Sequence, residues 1–199
     1  VMVIDPAGDS KDNKGDSLAI LCFAVDGNSI DGIGASKIYL VDAVISPLSD
    51  SEAIESIVTM YIRNGIISRI GIEKVGLSSV EIHVANALKA KGRHISIEDG
   101  SLVLLKPAGR TKWRRIEQAL AWPLNNGKIF FCDVVPVGYR ERIMSELNKF
   151  PYWHDDAIDA FSYLYDVIKD YRFMPKEYLS ELVASVNKQY KPMNGVAGY

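Results

Sequence analysis

The sequence predicts a mixed α/β fold, a layered sheet with helices packed against it. Three observations carry that prediction. Three apolar strand-like runs open the chain, at 1–5, 17–25 and 37–46, and their polar or glycine-containing connections suit an antiparallel meander. From residue 51 the hydrophobic period changes to that of a helix, with Ile54, Ile57, Val58 and Tyr61 at the spacing of one face. From there on helices and short strands alternate, which is the pattern of an α/β layer structure.

The elements follow in order. Strand 1–5 is the run Val1-Met2-Val3-Ile4, closed by Asp5 and followed by Pro6-Ala7-Gly8. The turns to strands 17–25 and 37–46 run from Asp9 to Asp16 and from Asp26 to Ser36. Helix 51–64 is introduced by Ser49-Asp50-Ser51 with Glu52, the spacing of a capping box. Strand 68–73 ends on Ile70-Gly71-Ile72-Glu73, and helix 78–91 carries Val80, Val84, Ala87 and Leu88 before it stops at Gly92. A strand pair, 94–98 and 101–106, is expected to form a hairpin around Asp99-Gly100. Helix 111–122, strand 128–134, helix 138–149 and helix 155–170 complete the body. A further helix at 176–188 and an end from Lys191 to Tyr199 with a mobile composition form a tail, so the expected division is 1–170 and 171–199.

With 199 residues, 48% hydrophobic and 24% charged, the composition is that of a soluble globular chain able to bury one sizeable core. No apolar run approaches the ~20 residues of a membrane span, and no signal peptide is visible. The chain opens on a strand without an initiator Met, as a domain cut from something longer would. Cys22 and Cys132 lie in apolar runs and read as buried free thiols of an intracellular protein. His83, His94 and His154 lack zinc-ligand spacing. A net charge of −2 argues against a generic basic nucleic-acid binder, although clustered acids would mask basic residues elsewhere.

The chemistry concentrates in acids at element ends. His154-Asp155-Asp156-Ala157-Ile158-Asp159-Ala160-Phe161 places three carboxylates in the start of a helix whose core face is Ala157, Phe161, Leu164 and Ile168. On that wheel Asp155 and Asp159 point away, and Asp156 borders the packed face, where a carboxylate reaches a site while the helix stays packed. One of these acids also suits an N-cap. Asp5 and Glu73 end strands, where open α/β sheets bind ligands. Together these stations point to hard divalent cations, which take oxygen ligands. The densest basic stretch is Lys106, Arg110, Lys112, Arg114 and Arg115. Lys112 and Arg115 share one side of a helix, either to meet DNA phosphates or as a solvated face. Trp113 and Trp122 read as core anchors. Lys74 either touches a phosphate or balances the acids, and His154 orients its turn or a carboxylate rather than acting as a base.

The order of elements is that of ribonuclease-H-like nucleases, in which the first and fourth strands lie side by side. Asp5-Pro6-Ala7-Gly8, the later Gly15-Asp16-Ser17, Ile72-Glu73 and His154-Asp155-Asp156 resemble the nuclease domain of the tailed-phage DNA-packaging terminase large subunit. Lys112-Trp113-Arg114-Arg115-Ile116 followed by Asn126-Gly127-Lys128-Ile129-Phe130 resembles that family's basic helix and short strand. The resemblance spans roughly 1–166. It implies an endonuclease that cuts concatemeric double-stranded DNA with two Mg²⁺ or Mn²⁺ ions, in the cytoplasm of an infected bacterial host. It also implies a packaging ATPase domain N-terminal to this chain, in keeping with the lack of a Gly-x-x-x-x-Gly-Lys-Ser/Thr motif here. Portal, small terminase subunit and capsid are the implied partners. Carried over by position, Asp5, Glu73 and Asp156 are the implied catalytic residues. Asp155 or Asp156 completes the metal shell that Asp5 and Glu73 begin, and Asp16 is the implied further ligand, a role for which Asp9 and Asp12 compete. A junction resolvase or ribonuclease H relative, or a docking module without catalysis, are the alternatives.

Overall fold

The computed structural model describes residues 1–6, 17–26, 36–74, 79–106, 109 and 111–169. Its strands are β1 (Met2–Asp5), β2 (Leu18–Val25), β3 (Ile38–Ser46), β4 (Ile70–Glu73), β5 (Leu102–Leu105) and β6 (Ile129–Phe131). Its helices are α1 (Asp50–Arg63), α2 (Val80–Ala90), α3 (Lys112–Asn125), α4 (Val137–Lys149), α5 (Asp156–Ser162) and α6 (Leu164–Ile168). The strands form one sheet in the order β5-β4-β1-β2-β3-β6. The meander β1-β2-β3 is antiparallel, while β4 and β5 continue parallel from β1, and β6 lies parallel to β3. This is the mixed sheet flanked by helices that the pattern of periods predicts, in the arrangement of a ribonuclease-H-like fold.

Strand alternation sorts the apolar residues onto two faces. Met2, Ile4, Ile20, Ile70 and Ile72 pack with Ile57, Tyr61, Val84 and Leu88 of α1 and α2. Val3, Ala19, Leu21 and Phe23 pack on the other face with Ile116, Leu120, Ile143, Phe161 and Leu164. Two hydrophobic cores therefore sandwich the sheet. Helix α1 starts as its sequence requires, with Ser49 and Glu52 closing a capping box.

Four expectations need correction. Residues 94–98 form no strand: Asp99 accepts from Ser101 N at 2.8 Å and Ser101 Oγ accepts from Ser96 N at 2.9 Å. These side-chain bonds take the place of a ladder, and only Leu102 N to Ser96 O crosses between the backbones there. Helix 155–170 is two helices. Ser162 Oγ donates to the Asp159 carbonyl at 2.6 Å, and Tyr163 N bonds Ala160 O three residues back, so the helix tightens at Tyr163. Strand 128–134 is cut to Ile129–Phe131, with Val134 exposed beyond it. Trp113 and Trp122 are not core anchors; each is 47% exposed, because α3 packs through Ile116, Ala119, Leu120 and Pro123. Cys22 and Cys132 are free thiols, the first buried and the second half-buried. The tail from 170 on lies outside the described residues.

Candidate metal centre

Asp5 and Glu73 are brought together by register. β1 and β4 are parallel neighbours with Ile4 beside Ile72, so the next residues, Asp5 and Glu73, emerge side by side at the carboxyl edge of the sheet. Alternation then decides their direction. Met2, Ile4, Ile70 and Ile72 face α1 and α2, so Asp5 and Glu73 face the opposite helices. Gly71 shares that side of β4. A Cβ there would stand 2.3 Å from Val167 Cγ2 and 2.9 Å from Leu105 Cδ1, so the glycine lets α6 lie close against the strand.

The third acid is Asp159. Carboxylate oxygens of Asp5, Glu73 and Asp159 all lie within 4.8 Å of one another. The helical wheel aimed Asp159 away from the core, yet it is 5% exposed, because α5 is enclosed on every side: Ala157 through Ser162 are all buried. The signal was in the sequence, since Ile158 and Ala160 lie off the assumed stripe and mark a helix that is apolar all round.

Asp156 is bound elsewhere. Its Oδ2 accepts from Arg142 Nη2 at 3.0 Å and from Ser17 N at 3.4 Å, which ties α5 to α4 and to the start of β2. Asp155 occupies the N-cap position of α5 without a side-chain cap bond. The cap comes instead from Glu146 of α4, whose Oε2 accepts from Ala157 N at 2.8 Å and Ile158 N at 3.2 Å. Sequence reasoning missed this buried glutamate. Burial raises the Glu146 pKa, against the pull of those two N–H donors and of Arg142. His154 is exposed, with its ring edge-on to Trp153 at 5.5 Å. Asp9, Asp12 and Asp16 lie outside the described residues.

The basic helix serves the acids. Arg115 is not a surface phosphate contact: it is 3% exposed, donates to Asp159 Oδ1 and, at 3.0 Å, to Ser162 Oγ, and lies 4.0 Å over the Tyr163 ring. Lys112 Nζ reaches Asp155 Oδ1 at 2.7 Å and Asp159 Oδ2 at 3.1 Å. Tyr163 Oη donates to Glu73 Oε1 at 2.5 Å. Lys106 and Arg114 are exposed, and Arg110 lies outside the described residues.

The electrostatics fit a cation. Burial, and then the hydrogen bond and charge of Glu73 together with the charge of Asp159, push the Asp5 carboxyl well above the usual range, with Lys112 opposing. Burial works to lower the Lys112 pKa. The hydrogen bond to Asp155 and the charges of Asp159 and Asp155 outweigh it and hold the ammonium above its ordinary value. Burial and the bond to Glu73 raise the Tyr163 pKa, so its hydroxyl stays a donor. Three hard oxygen donors that repel one another suit a divalent cation such as Mg²⁺ or Mn²⁺.

No protein-family model and no curated protein matches this chain. Among solved structures, the chain is similar to the Fowlpox virus resolvase, crystallised with substrate Holliday junction DNA. The two share 15% sequence identity over 85% of this chain and 99% of that one, with a TM-score of 0.49.

Proposed function

We propose that this chain is a divalent-metal-dependent nuclease acting on DNA. The observation that carries the reading is the convergence of Asp5, Glu73 and Asp159, from two neighbouring strand ends and one buried helix, within 4.8 Å. A divalent ion held by these three carboxylates would supply Lewis-acid activation of a water and of the scissile phosphate. The chain's own residues prepare the place. Tyr163 fixes the rotamer of Glu73, Arg115 fixes Asp159, and the enclosed α5 keeps Asp159 from swinging out. Such fixing matters because a ligand displaced by about an ångström can cost about a hundredfold in rate. Phosphodiester hydrolysis is a reaction class that a divalent ion on an all-carboxylate donor set suits.

The finer reading is the nuclease domain of a DNA-packaging terminase, cutting concatemeric double-stranded DNA. Its support is the motif resemblance at Asp5, Glu73 and the His154-Asp155-Asp156 element, with Lys112 and Arg115 at the acid centre. The packaging ATPase, portal, small subunit and capsid belong to that reading as partners, and the infected bacterial cytoplasm as its place. Supercoiled plasmid, linear duplex, four-way junction and RNA–DNA hybrid, incubated side by side with Mg²⁺ or Mn²⁺, test it. Cleavage of plasmid and duplex, suppressed by chelation, is the expected result. Preference for the junction would make the chain a resolvase, and preference for the hybrid a ribonuclease H relative. Asp5→Asn should lower cleavage at least a thousandfold, about 4 kcal/mol of barrier, while the protein stays folded. Full activity in folded Asp5→Asn would remove the acid centre from the reaction.

A further inference from the structure

Lys112 stands where a second ion would have to bind. In a two-ion centre the ions lie about 4 Å apart, and each needs its own oxygens besides a shared carboxylate. Among the described residues, the further carboxylate beside Asp5, Glu73 and Asp159 is Asp155, and its Oδ1 meets the Lys112 ammonium at 2.7 Å. The same ammonium lies 3.1 Å from Asp159 Oδ2, the oxygen that a second ion would share with Asp155. An Mg²⁺ bridging these two oxygens at about 2.1 Å would take up the position of the ammonium, so ion and ammonium exclude each other there. The ammonium is well held, since Lys112 opens α3 and Arg115, one turn on, is buried against Asp159 Oδ1 and Tyr163.

Charge leads to the same count. Among the described residues, and with Asp5 ionised as a bound cation would require, Asp5, Glu73, Asp155 and Asp159 oppose Lys112 and Arg115. That leaves two negative charges, the amount one divalent ion neutralises. Building on the metal-centre reading, we propose that the centre takes a single divalent ion, on Asp5, Glu73 and Asp159, and that Lys112 holds the place of the second. Lys112 is then a positioning residue that keeps Asp155 out of the ion's shell and supplies fixed positive charge beside it.

Titration of Mn²⁺ into the chain by calorimetry, with electron paramagnetic resonance of the bound ion, tests this. The unaltered protein should bind one ion with the spectrum of an isolated Mn²⁺. Lys112→Met should bind two, with the spin-coupled spectrum of a close pair. Lys112→Gln keeps a donor but not the charge and should do the same, so a folding defect in one variant does not decide the matter. Two ions in the unaltered protein would overturn the proposal, as would a single ion in both folded variants. Glu73→Gln separates this outcome from the parent reading. Two ions that are both lost in Glu73→Gln would leave the metal centre standing and remove only the single-ion count. Absence of Mn²⁺ binding in the unaltered protein would remove both.

Discussion

Asp5 shows most directly how one residue couples the site to stability. Burial and Glu73 raise its pKa in the folded protein. Without a cation, the fold therefore holds a proton that the unfolded chain releases near the usual aspartate value of about 3.9. A carboxyl with a raised folded pKa contributes stability that is complete below its unfolded pKa and is lost as pH rises through the folded one. Asparagine at this position has no proton to lose. In chelator, the melting temperature of Asp5→Asn relative to the unaltered protein should climb as pH rises above about 4; a difference that stays level would show that Asp5 is not strained. The acids on α5 give the second residue-scale prediction. Asp156 is committed to Arg142 and Ser17 N, whereas Asp159 lies with Asp5 and Glu73. Asp159→Ala should therefore weaken Mn²⁺ binding at least tenfold, and Asp156→Ala by less than about threefold, since of the two only Asp159 lies with the other acids of the proposed site. The opposite ranking in a calorimetric titration would restore the order that the helical wheel favoured. Asp5 and Glu73 were legible because strand ends are local in sequence. Asp159 was not, because the wheel assumes one buried face, and α5 is enclosed by α3 and the sheet, distant in the chain, as well as by the neighbouring α4.

At the scale of elements, the meander and the helix starts were legible because alternation, capping residues and turn chemistry are written locally. The capping box at Ser49 and the stop at Gly92, with φ of 72°, are examples. The false strand at 94–98 arose because side-chain bonds of Ser96, Asp99 and Ser101 compete with a ladder, and the pattern of residues alone does not show which of the two wins. The seat of α6 on β4 depends on Gly71, which reads in sequence only as a weak strand residue. Gly71→Ala would drive a Cβ into Val167 and Leu105. Overpacking of this kind costs about 1–3 kcal/mol, a fall of roughly 3–10 °C in melting temperature for a domain of this size. Because α6 follows α5 directly through Tyr163, the same change should also weaken the Tyr163 grip on Glu73 and lower Mn²⁺ affinity. An alanine variant with unchanged melting would mean that the two elements part easily and that the glycine has no packing role.

For the whole molecule, a net charge of −2 leaves no general attraction for DNA, so the proposed binding would have to come from where the cations stand. Topology places several of them at the edge that carries the acids. Lys74 follows Glu73, its N–H bonded to Leu105 O at 3.1 Å, and Lys106 follows Leu105, the register partner of Glu73. Arg114 lies in the first turn of α3, two positions from the lysine that meets Asp159. All three are exposed, whereas Arg115 is buried. The basic stretch therefore divides, with Arg115 given over to the interior and Lys106 and Arg114 exposed, as is Lys74, and so free to serve the proposed phosphate contacts. Removing one phosphate-binding cation should flatten the slope of log K against log salt by about one unit. Lys106→Ala with Arg114→Ala should accordingly reduce the slope for duplex DNA by about two, measured by fluorescence anisotropy in Ca²⁺ to prevent cleavage. Arg115→Ala should leave the slope within about half a unit while lowering the melting temperature, because it frees Asp159 instead of a phosphate. If the exposed pair left the slope unchanged, the DNA would lie on another face of the molecule than the one that holds Asp5, Glu73 and Asp159.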